Sequence, residues 1–346
     1  MRALTVQPGV PGSGALAEMA EPAPAEGDVL VAARAVGICG TDFEVLGGEH
    51  GAAPDGEKLL VLGHESLGEV LEAPPGCGLV PGDAVVGVVR RPDPVPCRNC
   101  AAGEFDMCRN GRFTEHGIRG RHGFARERWR AAPDALVQVD AGLGDLGVLL
   151  EPVSVVAKAW EHIERIGGRA VWEPQQVLVT GAGPIGLLAA LLATQRGLDV
   201  HVLDRVTDGP KPALVEQLGA TYHCGPIAEL ALTPDVVVEC TGAPAVIAEV
   251  LGETARNGVV CLTGVSGAEG RTPVDLGRLN REWVLHNDVV FGSVNANRRH
   301  YALAAQALAA ADRSWLAGLV TRRVPVEEYA DALEARDGDV KTVLIF

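Results

Sequence analysis

Residues 176–186 read QVLVTGAGPIG, a short valine-rich run that ends in three glycines spaced GxGxxG. The run predicts a strand and the glycines a tight turn. The apolar stretch that follows, IGLLAALLATQRG, predicts a buried helix stopped at Gly197. GxGxxG alone is a weak sign, but between a strand and a helix it points strongly to a dinucleotide. Gly181, Gly183 and Gly186 let a pyrophosphate approach the free N–H groups of the helix's first turn, which holds Pro184 and Ile185. The next strand, DVHVLDR, ends at Asp204, 18 residues past Gly186, about where an acid takes the ribose hydroxyls. A carboxylate there accepts from a 2′-OH and repels a 2′-phosphate, so Asp204 predicts NAD. Arg205 follows at once and softens that preference, leaving NADP as a second acceptor.

On the C-terminal side the rhythm continues. KPALVEQLGATY reads as a helix, PDVVVECTG as a third strand and APAVIAEVLGETARNG as a helix. VVCLTGVSG, DLGRLNREWVLHN and DVVFGSVN then alternate strand, helix, strand. Strands alternating with helices of this length imply an α/β fold, a doubly wound parallel sheet covered on both faces. The first 150 residues differ. They are rich in Gly and Pro, with short β-type runs (VLVAARAVG, LGEVLEA, DAVVGVV) between turn clusters such as PPGCG and VPGD, and read as a compact, mostly β domain. The last stretch, from YALAAQALAAADRSWLAGL to VKTVLIF, leaves the alternation and is expected to pack back on that first domain.

At 346 residues the chain suits two domains. Its 47% apolar and 22% charged residues make it globular rather than disordered. A net charge of -15 argues against nucleic acid, which calls for a basic face. The longest apolar stretch falls well short of the roughly 20 residues of a membrane helix, so no membrane partner is expected. MRALTVQPGVPGSG carries no apolar signal region, which points to the cytoplasm. Eight cysteines in a reducing compartment read as metal ligands or core residues rather than disulfides.

Cys39, in VGICGTDFE, sits among small residues rather than in an apolar run. His64 and Glu65 in GHE and Glu151 in LLEP complete a mixed S/N/O set with room for water or substrate, as a catalytic zinc requires. Each also has a structural reading, His64 as a hydrogen-bonded turn residue and Glu151 as a helix cap, and spacing alone does not choose. Cys97, Cys100 and Cys108 form a second group, C-x2-C-x7-C. Cys224, Cys240 and Cys261 lie in or beside predicted strands and read as small core residues, and Cys77 as incidental.

VGICGTD, LVLGHESLGEV, the Gly82-Asp83 pair, the cysteine stretch and GAGPIG stand in the order of the zinc-dependent medium-chain dehydrogenase/reductase family. GTDFEVLGGEHG, VVRRP, FTEHGIRGRHGF, LLEPVSVVAKA and NREWVLHNDVVFGSVN bring the chain closest to that family's glucose dehydrogenase branch. The resemblance implies a GroES-like catalytic domain over 1–157 and 293–346 around a Rossmann domain over 158–292. It implies that Cys39 and His64 bind the catalytic zinc, that Glu65 is a ligand that comes and goes, and that Glu151 binds the metal directly or through water. In the family's structural zinc lobe a fourth cysteine lies three residues before Cys97. Here that position is Pro94, so the neighbouring Asp93 is the expected fourth ligand, the alternative being a metal-free lobe.

Thr41 matches the hydroxyl that starts the family's proton relay, with Glu44 as its outlet or simply a solvated carboxylate. Glu115 matches a residue that hydrogen-bonds sugar hydroxyls, and Asn295 a position near nicotinamide and substrate. His116, His122 and His286 read as structural. Relatives that prefer NADP carry two arginines after a small or amide residue where this chain has Asp204-Arg205-Val206, which again favours NAD. The expected reaction is oxidation of an aldose, D-glucose first, at C1 to its lactone. The alternatives are a dehydrogenase of another polyol or sugar-like intermediate, and a non-catalytic nicotinamide-binding redox sensor, in which Cys39, His64, Glu151 and Thr41 would be superfluous. A homodimer or homotetramer, paired through the strand DVVFGSVN, follows from the superfamily by analogy.

Overall fold

The structure is a computed structural model that describes residues 1–267, 272–334, 336 and 338–346. The chain forms two compact units, Met1–Ser154 with Asn295–Phe346, and Val155–Val294. The first division falls inside the helix Leu150–Gly167, where no turn or glycine marks it in the sequence. Among the described residues no helix is long and apolar enough to cross a membrane.

The first unit is built on the strand Val29–Ile38, whose residues from Ala35 to Ile38 are all buried. It lies inside a seven-stranded sheet in the order Leu136–Gln138, Ala84–Gly87, Glu65–Glu72, Val29–Ile38, Lys341–Ile345 and Val320–Pro325, with Arg128–Ala131 also paired to Val29–Ile38. The chain's end packs back on this unit: Lys341–Ile345 runs antiparallel to Val29–Ile38, Thr342 opposite Ile38. On its other flank Gly37 stands opposite Glu65. Gly37 leaves room for that carboxylate, since a Cβ there would lie 2.1 Å from Glu65 Oε2 and force the side chain to shift. The core beneath includes Val31, Val36, Leu60, Phe124, Trp129 and Leu344, at about 1.5–3 kcal/mol for each large apolar side chain buried.

The second unit is a six-stranded sheet of β1 (Gln176–Thr180), β2 (Asp199–Leu203), β3 (Thr221–His223), β4 (Val236–Glu239), β5 (Val259–Leu262) and β6 (Val289–Gly292). All neighbours are parallel and the order is β3-β2-β1-β4-β5-β6, the doubly wound arrangement that binds dinucleotides where the order reverses. One expected element divides. The stretch 211–222, read as a single helix, is helical only over Pro210–Gln217. Gly219 then turns the chain at φ +75°, and Tyr222 pairs with Val202 in β3. The strand PDVVVECTG is therefore the fourth of the sheet.

Candidate active site

The strand Val29–Ile38 ends at Cys39, which caps the helix Gly40–Leu46; the Cys39 N–H donates to Asp42 Oδ2 at 2.9 Å. Cys39 Sγ lies 3.0 Å from His64 Nε2, and Glu65 begins the neighbouring strand. The donor atoms of Cys39, His64 and Glu65 all lie within 4.8 Å of one another. The other face of the His64 ring looks at a carboxylate: Nδ1 is 3.5 Å from Asp42 Oδ1, both atoms buried and neither in a conventional hydrogen bond. A histidine whose far nitrogen faces a carboxylate is the usual arrangement of a metal ligand. A buried S/N/O set with orphaned polar atoms behind it fits a catalytic zinc.

Lys341 is the residue of this cluster that the sequence reading missed. It is buried, and its ammonium donates to Ile38 O at 3.0 Å and Glu65 Oε1 at 2.5 Å. The one available signal was a lysine opening the otherwise apolar run VKTVLIF. Burial would lower the Lys341 pKa, yet Glu65 and Cys39 hold it above its ordinary value. Burial likewise pulls the His64 ring down, and Cys39 and Asp42 outweigh it, holding His64 well above its usual range. Glu151, near the start of the helix Leu150–Gly167, is buried, and that burial pushes its carboxyl up to about 7. It lies outside the compact donor group. Thr41 is half-buried in the helix after Cys39, and Glu44, one turn on, is exposed.

Glu115 and Asn295, both expected at the substrate, meet: Asn295 Nδ2 donates to Glu115 Oε1 at 2.7 Å. Asn295 adopts φ +62°, a left-handed conformation that asparagine tolerates better than most residues. Arg90, in VVRRP, has no role assigned from sequence. It donates from Nε and Nη2 to the same oxygen at 3.0 and 2.9 Å.

Cys97, Cys100 and Cys108 converge as a thiol group. Cys97 Sγ accepts from the N–H groups of Cys100 and Arg109, both at 3.5 Å, which bring its thiol down to about 6; burial pushes Cys100 up to about 11. Asp93 stands outside the group. Its carboxylate accepts from Val95 N at 2.8 Å, Asn110 Nδ2 at 2.8 Å and Arg112 Nε at 3.2 Å, so the carboxylate expected as fourth ligand is committed to closing the loop that Pro94 stiffens. His116 and His122 are structural: His116 Nδ1 donates to His122 O at 2.7 Å, and His122 bridges Val61 N and Glu57. Cys261 is buried in β5, whereas Cys224, read as a core residue, is exposed after β3.

The glycine turn of the second unit behaves as its spacing predicts. Gly181 has φ +90°, a Cβ on Gly186 would lie 1.7 Å from Gly181 O, and Gly183 faces open space. Pro184 and Ile185 open the helix Pro184–Thr194, with Gly183 at its cap. Asp204 turns toward this loop: Oδ2 accepts from Ala182 N at 2.7 Å and Lys211 Nζ at 3.2 Å, and Oδ1 from Val206 N at 3.2 Å. Burial would raise the Asp204 carboxyl, but these N–H groups and Lys211 hold it below its usual range. Arg205 is exposed.

The chain matches the family model of the glucose dehydrogenase C-terminus over residues 144–346 and that of the alcohol dehydrogenase GroES-like domain over 25–141. It is 42% identical over 352 residues to glucose 1-dehydrogenase 2 of Vulcanisaeta moutnovskia, covering 99% of each chain. To glucose 1-dehydrogenase of Methanocella arvoryzae it is 38% identical over 355 residues, again with 99% of each covered. Haloferax mediterranei glucose dehydrogenase, solved in complex with NADP, Zn and gluconolactone, superposes with a TM-score of 0.93 at 34% identity, covering 100% of this chain and 99% of that one. The chain therefore belongs to the glucose dehydrogenase branch of the zinc-dependent medium-chain dehydrogenase/reductase family.

Proposed function

We propose that this chain oxidises D-glucose at C1 to its lactone, passing the hydride to NAD(P) and releasing a proton. The observation that carries this reading is the full-length structural match to a dehydrogenase captured with NADP, Zn and gluconolactone. Cys39 and His64, with Glu65 or Glu151, are the residues that would hold the zinc, which supplies Lewis acidity to the reacting sugar oxygen when bound. The nicotinamide, when bound, supplies the hydride acceptor.

The rest is the work of this chain's side chains. Asp42 keeps the His64 ring aimed through Nε2. Glu115, with Oε1 taken by Arg90 and Asn295, offers Oε2 to sugar hydroxyls, and a carboxylate accepts from two neighbouring hydroxyls at once. The Thr41 hydroxyl takes the departing proton, and Glu44 is its outlet to solvent. The turn Gly181–Gly186 and the free N–H groups of the helix Pro184–Thr194 hold the pyrophosphate, and Asp204 takes the adenosine ribose. Cys97, Cys100 and Cys108 would hold a structural zinc. The edge strand β6, with Val289, Val290 and Phe291 half-buried, supports a homodimer or homotetramer, and eight free cysteines support a cytoplasmic setting.

The test is reduced-nicotinamide formation by purified protein with D-glucose, D-galactose, D-xylose and a simple alcohol, with NAD and NADP in parallel, before and after a chelator. Turnover led by D-glucose, lost on chelation and restored by zinc, is the expected result. Zinc and nucleotide binding with no turnover on any sugar would overturn the substrate assignment.

A further inference from the structure

We propose that Arg90 is the positioning residue that fixes Glu115 for the sugar, and that it ties this carboxylate to the cysteine lobe through Asp106. The proposal rests on the reading that Glu115 contacts the substrate. Arg90 and Glu115 are paired residues of two short antiparallel strands, Arg90–Arg91 and Thr114–His116. Their side chains are 8% and 11% exposed, so the pair is shielded from solvent and its geometry matters more than a surface ion pair's.

The geometry is not the usual fork on a carboxylate. Arg90 Nε and Nη2 both reach Oε1, at 3.0 and 2.9 Å, and Asn295 Nδ2 adds a third donor at 2.7 Å. One oxygen is thus saturated, and Oε2 is left outside the cage of donors. A carboxylate held this way presents a single acceptor edge in a fixed direction, as discrimination among sugar hydroxyls requires. The guanidinium is itself immobilised. Its carbon lies 3.8 Å from the centroid of the Phe113 ring, and its remaining nitrogen, Nη1, donates to Asp106 O at 2.8 Å.

Asp106 belongs to the turn Phe105–Met107, between Cys100 and Cys108. Its carboxylate accepts from Asn297 Nδ2 at 2.8 Å, two residues from Asn295. The loop that gathers the three thiols therefore supplies the carbonyl that aims Arg90, and Arg90 aims Glu115. Disturbing the lobe should reach the sugar through this chain of contacts, with no lobe residue touching substrate.

The test measures KM for sugar and for nucleotide, kcat, bound metal and Tm in Glu115→Gln, Arg90→Gln, Arg90→Lys, Cys108→Ser and the Arg90→Gln/Cys108→Ser double variant. Arg90→Gln should raise the sugar KM about tenfold or more, the scale of a lost hydrogen bond to a charged group. Its kcat, nucleotide KM and catalytic metal should change far less. Arg90→Lys should recover part of the loss, because an ammonium can reach Oε1 but cannot hold the Asp106 carbonyl in the same plane. Cys108→Ser should raise the sugar KM in the parent and add little in the Arg90→Gln background. If Arg90→Gln does not fold, Arg90→Lys carries the test: a sugar KM equal to the parent's overturns the positioning role. Fully additive Cys108→Ser and Arg90→Gln effects overturn the link to the lobe. A raised sugar KM in Glu115→Gln with none in the Arg90 variants sinks this proposal and leaves the Glu115 reading intact. An unchanged sugar KM in Glu115→Gln sinks both.

Discussion

Asn295 Nδ2 and Glu115 Oε1 lie 2.7 Å apart across 180 residues of sequence. The asparagine pays for this contact with a left-handed backbone at φ +62°, a conformation that costs most residues about 1–2 kcal/mol. Its side-chain oxygen also accepts from Ala296 N at 2.8 Å, so the amide is held from both ends. Backbone and side-chain contributions can then be separated. Asn295→Gly removes the amide but keeps the backbone relaxed, whereas Asn295→Ala removes the amide and adds strain. Both should raise the sugar KM by about tenfold, and Asn295→Ala should also melt at a lower temperature than Asn295→Gly. Equal sugar KM values in parent and both variants would remove Asn295 from the substrate site.

Lys341 and Glu65 form a deeply buried ion pair beside the thiol–imidazole cluster, with side chains 1% and 3% exposed. Removing one member of such a pair leaves an uncompensated charge, at a cost of about 3–5 kcal/mol. Lys341→Met should therefore lower thermal stability sharply. Adding Glu65→Gln to it should restore a substantial part, because the orphaned carboxylate is then gone. A double variant no more stable than Lys341→Met would show that the lysine acts through packing rather than charge. Metal content measured alongside distinguishes a loss of stability from a loss of the ion.

His116 provides a pH dependence with a defined sign. His116 is 4% exposed and its ring stacks on Phe124 at 4.5 Å between centroids. Burial first, then Arg121, hold its pKa well below the ordinary histidine value. A histidine with a depressed folded-state pKa contributes stability that is complete above the unfolded value. That stability is lost as pH falls below about 6.5 toward the folded value, because the unfolded chain binds the proton more readily. His116→Gln can still donate to the His122 carbonyl but cannot titrate. Its Tm should fall less than the parent's between about pH 7.5 and pH 5.5. Parallel Tm curves for the two proteins would mean that His116 does not titrate on unfolding in this range.

What the sequence disclosed and what it withheld divide along a physical line. The glycine turn was legible because its requirements are local: a positive φ at Gly181 and no room for a Cβ at Gly186. Cys39 and His64 were legible as candidate ligands by residue type, but spacing left a structural reading open and the family resemblance carried the choice. Lys341 was not, because its partner is 276 residues away and the two meet only through the pairing of three strands. Arg90 was hidden for the same reason, since Glu115 lies opposite it on a neighbouring strand. Asp93 was chosen for its proximity in sequence. It is adjacent to the expected ligand position, but its carboxylate closes a turn with Val95, Asn110 and Arg112. The short strand Thr221–His223 was absorbed into a helix because three residues carry too little periodicity to stand out.

The same reasoning gives cofactor preference two opposing handles. Asp204 was read as an acid that favours NAD, softened by Arg205, whereas Lys211 Nζ, 3.2 Å from its Oδ2, was not part of that reading. A cation beside the acid lessens its repulsion of a 2′-phosphate, and Arg205 adds a second positive group at the same corner. Asp204→Asn keeps an oxygen for the Ala182 N–H while removing the charge. It should shift the ratio of kcat/KM values toward NADP. Lys211→Met leaves the carboxylate without its neutralising partner and should shift the ratio toward NAD. Each shift should be about three- to tenfold, the size of one unit charge partly screened by solvent. The two substitutions must move the ratio in opposite directions, and a shift of the same sign in both would mean that this corner does not read the 2′ position.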